Sequence, residues 1–185
     1  MKNKTIYNDA PEYCSYYFDL IQSDDLLSEF EKSKELTLSI FKLISPALEN
    51  YSYQPNKWTI KEILRHIIDM ERIFAYRAFR FSRFDDTELS GVEENDYIEK
   101  VKQTDIKLSD LQEEYLAVRN STICIYRNIK TEMLDFKGTA NKQTYTSRTL
   151  GFAIVGHNVH HCNFIKTEYL NEKVKTSTNN LTINN

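Results

Sequence analysis

The feature of this sequence that most restricts its fold is a shortage of turn-forming residues. Its 185 residues include four glycines and three prolines, and Pro11, Pro46 and Pro55 all lie in the first third. So few chain-breaking residues favour long helices over many short strands. The length suits one domain with a single sizeable hydrophobic core. We therefore expect a single all-α domain.

Apolar residues recur at three- and four-residue intervals in four segments, as on one face of a helix. The predicted helices span about residues 24–47, 59–84, 109–133 and 147–170. Thr59 with Glu62, and Ser109 with Gln112, have the spacing of a capping box at the start of a helix. These pairs predict where the second and third helices begin.

The segments between the helices complete the predicted organisation. A short aromatic element, residues 12–21, precedes the first helix, and residues 135–148 are expected to form a loop with a short extended piece. The connection between the second and third helices, residues 85–105, is long and acidic, and such connections are often functional or carry a short helix. Four long helices with one crossover predict a four-helix bundle over residues 1–172. Residues 173–185 are expected to form a polar tail.

Charge and cysteine usage limit the possible partners and compartments. The formal net charge of −3 argues against general nucleic-acid binding, which usually needs a basic surplus. No segment approaches the roughly 18 apolar residues of a membrane span, and the N-terminus lacks the apolar region of a secretory signal. Cys14, Cys124 and Cys162 form no CxxC pair and are expected to be reduced. We expect a cytoplasmic protein that binds neither nucleic acid nor membranes.

Three of the four histidines lie in the segment GHNVHHCNF, residues 156–164. An α-helix turns about 100° per residue, so His157 can share a face with either His161 or His160. The neighbouring apolar residues favour the first pair, because together they form a core-facing stripe. This stripe consists of Leu150, Ile154, His157, His161 and Phe164. We expect His160 to lie at the flank.

His66, the fourth histidine, also lies on a core-facing stripe, with Ile63, Met70 and Ile73. A buried polar group without a partner costs about 1–3 kcal/mol, and a divalent metal would satisfy all three inward imidazoles at once. Three ligands leave an open position, as in catalytic zinc sites, and zinc and nickel both suit imidazole. In the alternative interpretation the histidines are hydrogen-bonded packing residues and bind no metal.

Two acidic residues share the side of the second helix that carries His66. Glu62 and Asp69 lie four residues before and three residues after it, so either could orient its imidazole or act as a general base. The alternative is that both are solvent-exposed helix acids, and Glu71 has a weaker claim. Cys162 points about 100° away from His161 and is not expected to be a ligand or a nucleophile.

Four segments resemble, in order, the motifs of the DinB-like four-helix bundle family. They are YFDLIQSDDLLSEFEKSKELTLSIF, KWTIKEILRHIIDMERIFAYR, LSGVEENDYIEK and TLGFAIVGHNVHHCNFI, and the resemblance covers residues 11–170. It implies a divalent metal held by His66, His157 and His161 in a cytoplasmic, often dimeric protein. It also implies small-molecule chemistry, either by a metal-dependent hydrolase or by a transferase or isomerase that uses a low-molecular-weight thiol. His160 is not part of the family pattern.

Two functional hypotheses follow from these residues. The first is a metal-dependent enzyme, in which the metal activates either a water for hydrolysis or a thiol for transfer. The second is a non-catalytic metal-binding or stress-response bundle that keeps the metal for stability or sensing. An open coordination position facing a cleft would favour the enzyme. Tyr76, Phe79 and Phe81 either form a surface for a homodimer or pack within the fold.

Overall fold

The computed structural model describes residues 4–101 and 105–170, and its helices confirm the predicted all-α fold. The described chain runs through a 3-10 turn (Lys4–Asn8), α1 (Cys14–Asp19), α2 (Leu26–Leu43), α3 (Ile60–Phe81), α4 (Glu94–Val101), α5 (Leu108–Arg127), α6 (Thr131–Leu134), β1 (Lys137–Ala140), β2 (Gln143–Thr146), α7 (Ser147–Phe164) and a π-helical turn (Ile165–Leu170). The predicted tail lies outside the described residues.

The long helices α2, α3, α5 and α7 form a four-helix bundle with an indirect chain path. Both α2 and α3 pack against α5 and α7, so these two consecutive helices occupy opposite corners of the bundle. The crossover from α3 to α5 carries α4, as its length predicted. The short helix α1 lies against α7. No helix in the described part of the chain is long and apolar enough to cross a membrane.

The observed helix boundaries follow their local capping interactions. Thr59 and Glu62 form the predicted capping box at the start of α3, and α2 ends at Leu43 shortly before Pro46. The predicted cap at Ser109 is wrong, since α5 begins one residue earlier. That helix also ends at Arg127, and a separate turn, α6, covers part of the remaining predicted length.

The predicted extended piece is a β-hairpin that packs beside α3. β1 and β2 pair antiparallel through a turn at Asn141 and Lys142, both of which have positive φ. The crossover joins the hairpin, because Leu89 bridges to Ala140. The hairpin and the crossover thereby form one wall beside the α3–α7 pair.

Two side chains lie differently from their predicted positions. Glu71 is not an exposed helix acid, because it is buried and pairs with the buried Arg119 of α5. Phe81 is fully buried and cannot belong to a surface patch. Tyr76 and Phe79 are exposed, and their role as a dimer surface stays a prediction.

Gly156 allows α1 to lie directly on α7. A Cβ atom at this position would lie 2.3 Å from the backbone oxygen of Tyr17. Although alanine is the better helix former, we expect Gly156→Ala to lower the free energy of unfolding by about 1–3 kcal/mol, because the backbone of α1 must shift. Urea unfolding would measure the loss. Asn163→Ala, at an exposed position of α7, should change it by less than about 0.5 kcal/mol, and equal effects would contradict the close contact.

Candidate metal centre

The packing of α3 against α7 brings three imidazoles together. His66 extends from α3, and His157 and His161 extend from successive turns of α7. The Nε2 atom of His157 lies 2.9 Å from Nε2 of His66 and 3.1 Å from Nε2 of His161. The inward orientation of these histidines agrees with their positions on the two apolar stripes.

Burial keeps the three imidazoles neutral. It lowers the pKa of His66 to about 4, with a smaller effect from His160. It lowers the pKa of His161 to about 3, and the neighbouring His66 and His160 add to the shift. Burial also lowers the pKa of His157 well below its usual value, followed by the effects of the other histidines. At neutral pH each ring therefore has a nitrogen lone pair available to a metal.

The separations of the nitrogen atoms fit a single metal ion. Two nitrogens bound about 2.0–2.1 Å from one zinc ion lie about 2.9–3.4 Å apart, for angles from about 90° to the tetrahedral value. The two measured Nε2 separations, 2.9 and 3.1 Å, fall in this range. The potential ligand atoms of all three residues lie within 4.8 Å of one another.

Hydrogen bonding alone satisfies these rings poorly. The Nε2 atom of His157 faces two other Nε2 atoms, yet a neutral imidazole nitrogen offers either one proton or one lone pair. Nδ1 of His161 is also buried without a hydrogen-bond partner within the described residues. A divalent ion would accept one lone pair from the Nε2 atom of each ring and so remove the conflict among these three atoms, and the donor set therefore fits such an ion.

A buried polar network fixes the side of α7 behind the histidines. Asn158, next to His157, accepts hydrogen bonds from Thr37 at 3.0 Å and from Tyr115 at 3.2 Å. Cys162 also lies in this network, with its Sγ 3.4 Å from the hydroxyl of Thr37. These contacts hold α7 in the rotation that turns His157 and His161 toward α3.

The histidines line a cavity of about 430 Å³ between the α3–α7 pair and the wall formed by the crossover and hairpin. Its lining residues are Tyr13, Tyr17, Trp58, His66, Met70, Phe74, Arg77, Val92, Glu94, Asn141, Tyr145, His157, His160 and His161. A cavity of this size can hold a small molecule. The candidate metal centre thus faces space in which a substrate could bind.

Aromatic rings surround the imidazoles. The ring of Trp58 lies 4.9 Å from that of His66, and the ring of Tyr17 lies 5.6 Å from that of His157. His160 lies at the flank, as predicted from the helix geometry, with Nδ1 2.9 Å from the hydroxyl of Tyr16. The aromatic rings of Trp58 and Tyr17 thus pack against the imidazoles of His66 and His157.

The structure does not bring the two predicted carboxylates to the cavity. Glu62 accepts a hydrogen bond from the backbone N–H of Thr59 at 2.6 Å, so the helix cap occupies its carboxylate. Asp69 lies 3.5 Å from Arg72, and burial raises its pKa while Arg65 and Arg72 oppose the rise. Within the described structure neither acid hydrogen-bonds to His66, and both carboxylates contact residues at the start or along the surface of their own helix, α3.

Several cavity residues escaped the sequence interpretation. Tyr17, Asn141 and Tyr145 come from segments far apart in the chain, and local spacing holds no signal for them. The position of Arg77 could have been predicted, because it follows His66 by eleven residues, or about three helical turns. The two side chains therefore lie on the same face of α3.

The fold and the site together define a class of protein: a four-helix bundle with three convergent histidines beside a small-molecule cavity. The sequence-family model of the DinB superfamily matches residues 29–165, and the chain belongs to this superfamily. A search of curated proteins finds no match.

A solved structure with a similar fold is that of YfiT from Bacillus subtilis. The TM-score is 0.65 at 15% sequence identity, and the match covers 77% of this chain and 85% of that chain. YfiT is described as a probable metal-dependent hydrolase with an unusual four-helix bundle topology. The likeness supports the four-helix bundle assigned here.

Proposed function

We propose that this protein is a metal-dependent hydrolase that holds one divalent ion, zinc or nickel, through His66, His157 and His161. The observation that carries the proposal is the convergence of three neutral imidazole nitrogens on the wall of a cavity. The description of YfiT as a probable metal-dependent hydrolase supports the reaction class. We also propose that the substrate is a small molecule.

The cavity favours catalysis over a purely structural or sensing role. Structural zinc sites are usually closed by four protein ligands, whereas catalytic sites keep a position open for water or substrate. When bound, such an ion supplies Lewis-acid activation of water near neutral pH. The chain's own part is to hold the three imidazoles in place through α3 and α7 and to bind the substrate beside them.

A second candidate is a thiol-dependent transferase, because the cavity of about 430 Å³ beside the three histidines can hold a low-molecular-weight thiol. The two candidates are distinguished by supplying the metal-loaded protein with ester and amide substrates, or with a thiol and an electrophile. Turnover that requires the thiol would favour the transferase.

Metal content tests the site itself. We expect tag-free wild-type protein to hold close to one divalent ion per chain. Removing a residue that only hydrogen-bonds to a metal ligand costs about 10–100-fold in metal affinity, so removing a ligand itself should cost at least about 100-fold. His66→Ala, His157→Ala and His161→Ala should therefore lose the ion during purification, as measured by elemental analysis.

His160→Ala is the matched control, because this ring lies beside His161 but bonds to Tyr16 at its Nδ1. The variant should retain the wild-type metal content. No metal in the wild type, even after reconstitution with zinc or nickel, would refute the metal-dependent hydrolase. Equal metal loss in all four variants would refute the assignment of the three ligands.

A further inference from the structure

Arg77 is the feature of the cavity that the proposed metal chemistry does not use. It belongs to α3, and only 5% of its surface is exposed. Its Nη2 donates to the backbone oxygen of Ser90 at 2.9 Å. Within the described residues no carboxylate lies at ion-pair distance, and Glu94, the acid at the cavity, is exposed. In the part of the chain that the structure describes, this buried guanidinium thus lines the cavity without an ion-pair partner.

The other buried arginine provides a comparison within the same fold. Arg119 has its charge matched by Glu71, with two nitrogen-to-oxygen distances of 2.8 Å. Burying a cation without such a partner is costly, so proteins usually pair buried charges. A difference in burial does not explain the contrast, because both side chains are largely inaccessible. The distinguishing property of Arg77 is that it borders an open cavity.

We propose that the cavity binds a small molecule with a carboxylate, and that Arg77 holds this carboxylate while the opposite end of the molecule lies at the three histidines. The inference rests on the proposed function, because it assigns a substrate class to the same site. A guanidinium can bind a carboxylate through two parallel hydrogen bonds. Tyr145 adds a hydroxyl beside Arg77 in the cavity lining.

A single charge favours a carboxylate over a phosphate dianion. Among the residues that line the cavity, Arg77 is the one lysine or arginine. It can neutralise one negative charge, whereas a phosphate group carries up to two near neutral pH. The hydroxyls of Tyr13 and Tyr145, 2.7 Å apart, offer neutral hydrogen bonds and add no positive charge.

The positions along α3 indicate an elongated ligand. His66 and Arg77 are eleven residues apart, which places their Cα atoms about 16 Å apart along the helix axis on one face. Both side chains lean toward the helix N-terminus, and the longer side chain of Arg77 shortens this spacing between the binding groups without closing it. Met70 and Phe74 line the cavity between them. The ligand would therefore have an apolar middle between its reactive end and its carboxylate.

A series of two-ended probes tests this arrangement on the zinc-loaded protein. Monohydroxamates of linear dicarboxylic acids, from succinic to sebacic acid, place a zinc-binding group and a carboxylate at graded distances. In a matched series a primary amide replaces the carboxylate, which keeps the length of the probe and removes its negative charge. Calorimetric titration should show that the carboxylate binds about tenfold or more tightly than its amide at the longer lengths, and equally at the shortest.

The substitution Arg77→Gln removes the positive charge and should bring the carboxylate-to-amide ratio to within twofold. Arg77→Lys keeps the positive charge and should therefore keep part of the preference for the carboxylate. This variant replaces Arg77→Gln in the test if the glutamine variant does not fold. Arg72→Met is the matched control, since this exposed arginine of α3 does not line the cavity. It should leave the ratio unchanged.

The outcomes separate this inference from the proposed function. Equal binding of acids and amides at every length, or a preference that persists in both Arg77 variants, would overturn the role of Arg77 and leave the metal site intact. Failure of every hydroxamate, charged or neutral, to bind would refute the open metal site and this inference with it.

Discussion

Replacing Arg119 with methionine is expected to lower the free energy of unfolding by about 3–5 kcal/mol, because the buried carboxylate of Glu71 would lose its counter-charge. The guanidinium also donates to the backbone oxygen of Phe30 at 3.1 Å and to the hydroxyl of Ser33. A further contact, 3.3 Å to Oδ1 of Asn158, links this pair to α7. One side chain of α5 therefore joins α2, α3 and α7.

Urea unfolding of matched variants would measure this effect. Arg65→Met removes a partly exposed pair with Glu114 and should cost no more than about 1 kcal/mol. The double variant Arg119→Met/Glu71→Leu should recover much of the loss, because neither charge remains buried. A loss below about 1 kcal/mol in Arg119→Met alone would contradict the importance of the buried pair.

The metal content of the same variants would show whether this pair supports the histidines. Arg119 contacts Asn158, which is next to His157 in α7. A shift of α7 after the loss of Arg119 should therefore displace the imidazole of His157. We expect Arg119→Met to bind zinc more weakly than the wild type, and Arg65→Met to bind it equally. The result would connect the buried network to the geometry of the site.

The inward direction of the histidines could be predicted from the sequence because helix geometry is local. His66, His157 and His161 each lie in step with apolar residues of their own helix, and burial follows that periodicity. The four long helices were predictable for the same reason. Their ends were less so, because α5 begins after Lys107 without a side-chain cap.

The acidic residues show where local pattern stops being informative. Glu62 fits both a capping box and a position near His66, but its carboxylate is occupied by the cap. Glu71 resembles any charged helix residue until α5 supplies Arg119, 48 residues later. Whether an acid is exposed or buried depends on its partner, and these partners come from distant segments.

The cavity wall was hidden from the sequence for a similar reason. Asn141 and Tyr145 reach the site only because the hairpin folds beside α3 and pairs with the crossover at Leu89. The sequence indicated a short extended piece and a crossover with its own helix, but neither pattern specifies how the two meet. The histidine cluster could thus be predicted, and the opposite side of the cavity could not.

Metal-free protein is expected to lose at least about 3 kcal/mol of stability between pH 6.5 and pH 4, because burial holds two imidazoles neutral in the folded state. The folded-state pKa is about 4 for His66 and about 3 for His161, compared with an ordinary value of 6.5. In this interval the unfolded chain binds protons that the folded chain does not. Stability therefore falls as the pH falls, and the loss ends only below the folded-state values.

The double variant His66→Gln/His161→Gln isolates this contribution, because glutamine does not titrate. Urea unfolding of chelator-treated protein at several pH values should give a steeper dependence for the wild type than for the variant. Identical dependence between pH 6.5 and pH 4 would show that these imidazoles are accessible to protons in the folded state, contrary to their burial. Carboxylates that titrate in both proteins cancel in the comparison.

Metal loading should change this dependence in a defined way. A bound divalent ion stabilises the folded state by mass action, and it requires the same lone pairs that protons occupy. Because burial disfavours protonation of His66 and His161, protons compete weakly with the metal until the pH is well below 6.5. The loaded wild type should therefore stay more stable than the metal-free protein through mildly acidic pH, whereas zinc should add little to the double variant. An equal gain from zinc in both proteins would locate the ion elsewhere.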